Sequence, residues 1–349
     1  MPKQSGLQKR PALHKVHAVR KAAARQTLSK RPAAAASTKR DAARALRVFT
    51  TNLDAAAHDR MGMDDARMGA YTEAIQRAVP GRTVLDLGTG PHALLALLCA
   101  RAGAKRVIAV EVVPAAAALA RKAVAASGLS EQVVVLEGHS ALLTLPRVDM
   151  VVHEIVGNIA TEEGVAAALA DLQGRPEVVD SHAVGWSLPL RVETWCAPTN
   201  LSVPLDMNGN SPKALSNAVR LPFTVPQGAL LGDPQPMEAV ETDCAIRLEQ
   251  VRTLKWEVTS SSTLAGIICA PRLVLDAQTV VNAWQQKTHW HQVLVLLSVA
   301  TLVDPGDVVE LIVESSLRNF PVVHRFEAAV IRRQSGRRTR LKAVEVKLR

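Results

Sequence analysis

The segment Val84-Leu85-Asp86-Leu87-Gly88-Thr89-Gly90 sets two glycines directly after a short apolar run. Glycine belongs where a backbone takes a positive φ or comes close to a ligand. A helix that follows such a turn aims its first amide groups at a polar or anionic group. A second apolar run, Arg106 to Val110, ends on Glu111. A carboxylate at that strand end can accept hydrogen bonds from both ribose hydroxyls of a nucleoside. Gly88, Gly90 and Ala93 also satisfy the G-x-G-x-x-G/A pattern of dinucleotide dehydrogenases, so two nucleoside chemistries stay open at this motif.

Three further clusters carry reactive side chains. His58-x-x-Met61-x-x-Asp64-x-x-Arg67-x-x-x-Tyr71 precedes the first strand, and its Arg67 and Tyr71 share one helix face. His153-Glu154-Ile155-Val156-Gly157 follows the run Val148 to Val152, and Glu163 stands nine residues past Glu154. Thr288-His289-Trp290 lies far downstream. Asp86-x-Gly88-x-Gly90 resembles the first motif of Rossmann-like methyltransferases. In order and spacing, the three clusters resemble the helix motif, double-Glu loop and Thr-His-Trp loop of the protein arginine methyltransferases. The resemblance runs over residues 45–330.

That resemblance implies S-adenosylmethionine as cofactor and methyl transfer to a guanidinium nitrogen of arginine in protein substrates. It implies that Arg67 holds the cofactor's carboxylate, with His58 and Gly90 also at the cofactor. Asp86 and Gly88 would shape the methionine pocket, Glu111 would bind the ribose, and Ser140, after His139, would lie by the adenine. Glu154 and Glu163 would grip the substrate, Met61 would pack beside the reacting methyl, and Trp290 would line the arginine entrance. His289 would pair with Asp64 and help to carry off the proton. The residue types suit this chemistry: a guanidinium keeps its proton, with a pKa above about 12. Two carboxylates can hold it through paired N–H···O bonds and leave one nitrogen free. Gly157 is expected to permit a bend in the loop between them.

The chain departs from the family at several points. His92 stands where a third glycine is common, and Asn158 where an aromatic residue is common. Tyr71 is the only tyrosine, and the region before the first cluster offers Phe49 where the family has tyrosines. These departures leave open a weakly active or inactive methyltransferase-like scaffold, or a methyltransferase for another substrate such as nucleic acid. Ser187-Leu188-Pro189 resembles the family's crossing into its barrel, where the proline bond is often cis.

Strand-like runs at 83–87, 106–110, 132–136 and 148–152 alternate with helical segments at 93–102 and 115–126, a pattern of parallel, doubly wound sheets. A helical pattern also begins at Asp41 and runs through Ala45, Val48 and Phe49. Beyond Ser187, alternating runs at 190–195, 254–258, 293–299 and 308–313 point to an antiparallel sheet or barrel. Residues 200–243 read as an extended Pro-, Gly- and Asn-rich insertion. The fold class is therefore α/β: a Rossmann-like domain at 43–187, then an antiparallel β-barrel domain at 188–349 that receives substrate. A basic tail, 1–42, precedes them and reads as disordered.

The 349 residues carry a net charge of +10, yet residues 1–40 hold eleven Lys or Arg and no acid, leaving the rest at −1. Such a tail fits nuclear targeting, contact with nucleic acid or another acidic partner, or an organellar transit peptide. Nucleus and cytoplasm are the expected locations. No run approaches the roughly 20 apolar residues of a membrane span, and no membrane role is expected. Cys99, Cys196, Cys244 and Cys269 lack metal-ligand or disulfide spacing and read as ordinary core or strand residues, with no metal expected. Histones and Arg-Gly-rich proteins are the candidate substrates, and a homodimer is compatible with the family.

Overall fold

In the computed structural model, the residues described are 39–40, 42–44, 46–50, 62–202 and 217–347. His58, Met61 and nearly all of the basic tail lie outside them. Arg44–Arg349 form one compact unit, which holds every sheet among the described residues.

Helix α1 spans Asp65–Ala78 and is capped by Asp64, whose side chain accepts the Arg67 amide at 3.1 Å. Five parallel strands follow: β1 Thr83–Leu87, β2 Arg106–Glu111, β3 Val133–Glu137, β4 Met150–His153 and β5 Ser187–Leu188. Helices α2 Leu94–Arg101, α3 Pro114–Ala126 and α4 Val165–Gln173 lie between them in sequence. The strand order is β3-β2-β1-β4-β5. Near-continuous apolar runs such as Val107-Ile108-Ala109-Val110 suit strands covered on both faces, and all four are buried. The chain winds outward from β1 in one direction, then returns beside it as β4. Sheets of this kind bind ligands at that switch point, beyond the carboxyl ends of the strands. Gly88, Glu111 and Glu154 all sit on that edge.

The bond Leu188–Pro189 is cis, and the parallel sheet ends there. The rest is antiparallel. One sheet orders β7 Ala218–Leu221, β12 Gln292–Val303, β10 Ser262–Val274, β6 Arg191–Thr199 and β8 Gln235–Glu241, with β11 Val280–Asn282 paired to β10. The other orders β15 Arg338–Arg340, β14 Val323–Ile331, β13 Val308–Ser316 and β9 Glu249–Glu257, with β16 Val344–Val346 on β14. The two sheets close around Met237, Trp256, Leu264, Ile267, Val309 and Phe326.

Two expectations change. The stretch 200–243 is not simply an insertion, because β7 and β8 within it complete the first sheet; residues 203–216 lie outside the described region. Pro and Gly there mark the turns between short strands. Cys244 is exposed beyond the end of β8, whereas the other three cysteines are buried. No helix among the described residues is long and apolar enough to cross a membrane.

Candidate active site

The glycine turn comes first. Gly88 has φ +77°, and a Cβ there would lie 2.5 Å from Cγ2 of Ile155, the residue after Glu154. Only glycine lets the β1 turn and the β4 loop approach so closely. Glu111 ties the turn to β2: its carboxylate accepts the Gly90 amide and the Val113 amide, each at 2.9 Å. Each carboxylate oxygen still has a lone pair for a further donor. Asp86 is buried beneath the turn and accepts the Thr89 hydroxyl. Burial raises its carboxyl to about 7, against the pull of the Thr89 bond. Ser140 is buried past the end of β3, at the start of a short 3-10 turn, beside His139.

Helix α1 crosses the same edge. Tyr71 donates from its hydroxyl to the His153 carbonyl at 2.9 Å, which settles the helix over the end of β4. One turn earlier, Arg67, fully buried, forms an ion pair with Glu154. Asp64 begins that helix and faces the barrel. Its Oδ2 accepts the His289 amide at 2.7 Å and lies 2.9 Å from His289 Nδ1. Burial pushes the Asp64 carboxyl up, but the bonds from His289 and the Arg67 amide outweigh it and leave it below the ordinary range. Burial lowers the His289 imidazole, with Arg67 adding to that against the Asp64 bond. His289 is thus a neutral imidazole held by a carboxylate, with Nε2 4.0 Å from Glu154 Oε1. That Glu154 oxygen is buried and makes no hydrogen bond.

The Thr-His-Trp segment is bonded to the double-Glu loop. Trp290 is buried, and its Nε1 donates to the Val156 carbonyl at 2.8 Å. The His291 amide donates to Asn158 Oδ1 at 2.6 Å. Asn158 is therefore a polar tie between the two segments. Its amide also donates to Glu162 Oε1 at 2.8 Å, and Arg220 lies 3.5 Å from the same oxygen. Gly157 has no positive φ; a Cβ there would sit 2.0 Å from Glu162 Cγ. The glycine leaves room for Glu162 rather than making the bend, a reason legible only in three dimensions. Glu163, half-buried beside it, has its carboxyl raised to about 8, first by loss of water around it, then by the charges of Glu162 and Glu111 against Arg220. The second carboxylate of the loop and the carboxylate at the end of β2 are electrostatic neighbours. Phe320 approaches Gly164, next to Glu163, and packs against Phe49 with the rings tilted and their centroids 5.3 Å apart.

Asp64, Arg67, Glu154 and His289 thus form one bonded group, set against Gly88 and the Gly90–Glu111 pair. Arg67 meets Glu154 directly, a contact that the motif spacing did not suggest. Sequence reading also missed Glu162 and Asn158 as braces, because their partners, Gly157, Arg220 and His291, are defined by the folded loop.

The donor set fits a nucleoside whose other end carries a carboxylate. A glycine turn, a ribose-height glutamate and a buried arginine line one edge of the sheet. A Rossmann-like domain followed by an antiparallel barrel, with this edge between them, is the architecture of a class of methyltransferases. A family model described as ribosomal protein L11 methyltransferase (PrmA) matches residues 70–167. Among curated relatives, a probable protein arginine N-methyltransferase 6 of Arabidopsis thaliana is 33% identical over 142 residues, 38% of this chain and 32% of that protein. An arginine N(omega)-methyltransferase of Streptomyces achromogenes subsp. streptozoticus is 41% identical over 105 residues, 28% of this chain and 29% of that protein. The chain thus matches about a third of the length of these relatives. The solved structure of Arabidopsis thaliana protein arginine methyltransferase 10 superposes with TM-score 0.71 at 21% identity, covering 85% of this chain and 99% of that one. Trypanosoma brucei PRMT1, solved as an enzyme-prozyme heterotetrameric complex with AdoHcy, superposes with TM-score 0.67 at 16% identity, covering 83% and 97%. The resemblance to protein arginine N-methyltransferases therefore holds in sequence over about a third of this chain and in fold over most of it, and S-adenosylmethionine is the cofactor it implies.

Proposed function

We propose that this chain transfers the methyl group of S-adenosylmethionine to a guanidinium nitrogen of arginine in protein substrates. The supporting observation is Glu154: its side chain buried and paired with a guanidinium, its neighbour Ile155 packed on Gly88 of the glycine turn, and the Asp64–His289 pair beside it. When bound, the cofactor supplies an electrophilic methyl on a sulfonium. Arg67 would hold its carboxylate, Glu111 its ribose, Asp86 and Gly88 its methionine end, and Ser140 its adenine side. His58 and Met61 are assigned to cofactor and methyl by motif position. Glu154 and Glu163 would grip the substrate cation through charge-assisted bonds and aim its free nitrogen. Alignment of this kind can supply up to roughly 7–11 kcal/mol. Methylation leaves one proton in excess on the guanidinium, and His289, neutral and held by Asp64, is placed to take it. Trp290 supports the clamp from beneath through Val156.

The domain assignment accompanies this reading: 43–187 for cofactor, 188–349 for substrate, with 1–42 as a basic tail for an acidic partner or nuclear entry. Histones and Arg-Gly-rich proteins are the proposed substrates, in nucleus or cytoplasm, with a homodimer as the proposed assembly. Labelled cofactor supplied with an Arg-Gly-rich peptide, a histone peptide and free arginine tests the reading. Glu154→Gln should lower kcat/KM by about 10²–10³-fold, as loss of an aligned charged partner does. Equal label transfer by both proteins would refute the role of Glu154. A second reading, methylation of free arginine, is favoured by the 41% identity to the arginine N(omega)-methyltransferase. Label on free arginine but on neither peptide would select it.

A further inference from the structure

A second buried polar cluster lies behind the double-Glu loop. Glu238, on β8, is wholly buried, and its carboxylate accepts the Thr161 hydroxyl at 2.9 and 3.0 Å and the Thr194 hydroxyl at 2.6 Å. Thr194, on β6, also accepts the Ala160 amide at 2.9 Å. His324, on β14, is buried behind them, with Nδ1 3.6 Å from Glu238 and 3.0 Å from Ser315 Oγ. Ile159 is buried in the barrel core. Three consecutive loop residues, Ile159, Ala160 and Thr161, are thus pinned to the barrel immediately before Glu162 and Glu163.

We infer that Glu238 is a positioning residue: through Thr161 and Thr194 it holds the far end of the double-Glu loop to the barrel and sets where Glu163 stands. An enclosed carboxylate is costly unless its lone pairs are filled, and apolar side chains of similar volume would stabilise the barrel as well or better. What hydroxyl-to-carboxylate bonds add is direction. The near end of the same loop is fixed by Arg67 on Glu154 and by Trp290 on Val156. Glu154 is thus held by Arg67 of the cofactor domain, with the barrel's Trp290 beside it, and the Glu163 end by the barrel alone, and only a loop anchored at both ends keeps the two in register. Substrate grip would depend on the barrel, and cofactor affinity would not.

The inference rests on the proposed methyl transfer, but it can be read without activity. Thr161→Val keeps the shape and removes the donor; Thr161→Ser keeps the donor. With an arginine peptide, Thr161→Val and Glu238→Gln should lower kcat about tenfold or more, as loss of a bond worth roughly 1.4 kcal/mol would. Thr161→Ser should recover most of that loss, and calorimetry should find cofactor affinity unaltered in all three. Amide hydrogen exchange across 158–164 should quicken in Thr161→Val and Glu238→Gln but not in Thr161→Ser. Wild-type kcat and exchange in a folded Thr161→Val and Glu238→Gln would overturn the inference. Should Thr161→Val not fold, the pair Thr194→Val and Thr194→Ser makes the same comparison from the other hydroxyl. If the wild-type chain methylates no arginine, the functional reading fails, and exchange alone still decides whether Glu238 orders the loop.

Discussion

Arg67 and Glu154 are each other's partner here, although the chemistry assigns one to the cofactor's carboxylate and the other to the substrate's guanidinium. A cofactor that engages Arg67 releases Glu154 for a second guanidinium. Cofactor and substrate should therefore bind with positive coupling, in the range of roughly 5–150-fold typical of linked sites. Calorimetric titration of an arginine peptide with and without S-adenosylhomocysteine measures it; equal affinities would contradict the exchange of partners. Glu163 makes a separate prediction. Its carboxyl ordinarily titrates near 4.5 and is raised to about 8 in the fold. Between those values the native state binds more protons than the unfolded chain, so stability falls as pH rises through that window and levels off above it. Glu163→Gln should flatten this part of the profile in urea unfolding, and an unchanged slope would mean the carboxyl is not held neutral. At Gly88, alanine brings both a left-handed φ and a methyl against Ile155. Gly88→Ala should cost about 1–2 kcal/mol from backbone strain alone, with weaker cofactor binding, and Ile155→Ala should relieve only the contact part.

At the scale of elements, the loop between β4 and α4 is held by three others: α1 through Arg67, the segment before β12 through Trp290 and His291, and the barrel through Thr161 and Ala160. Trp290→Phe keeps the ring bulk and leaves the buried Val156 carbonyl without its indole donor. The expected cost is about 1–3 kcal/mol of stability, with a lower kcat because the loop loses a tie. Thermal unfolding and turnover with the same peptide check both parts. The same reasoning explains Asn158: an aromatic side chain there could not bind Glu162 and the His291 amide together. His92 has a local counterpart as well. The next residue, Ala93, enters α2 with φ 48°, so an alanine takes a left-handed position that more often falls to glycine.

At the scale of the whole molecule, two layers of different chemistry meet at one edge. The parallel sheet supplies the glycine turn and Glu111, the antiparallel barrel supplies His289 and Glu238, and Asp64 and Thr161 bridge them. The charge, by contrast, is concentrated in residues 1–40, whose removal takes the chain from +10 to −1. Retention on heparin should then fall sharply and lose most of its salt dependence, since that dependence counts the cations engaged. Undiminished retention would assign polyanion binding elsewhere, for which Arg332, Arg333, Arg337, Arg338, Arg340 and Lys342 offer a second concentration of cations.

The sequence alone determined the order of strands and helices from residue 83 to residue 153, because apolar runs that are buried on both faces need no knowledge of their neighbours to be recognised; helix α4 and strand β5 came only with the fold. It also singled out Glu154, the glycine turn at Gly88 and His289, which the fold brings to one edge, since residue types and their spacing survive in linear order. Only the tertiary structure decided that Arg67 meets Glu154, that Gly157 makes room for Glu162, that β7 and β8 join the barrel, and that Glu238 stands behind the loop. Each of these depends on a contact between residues distant in the chain, or on the packing of one side chain against a backbone, and periodicity and spacing encode neither.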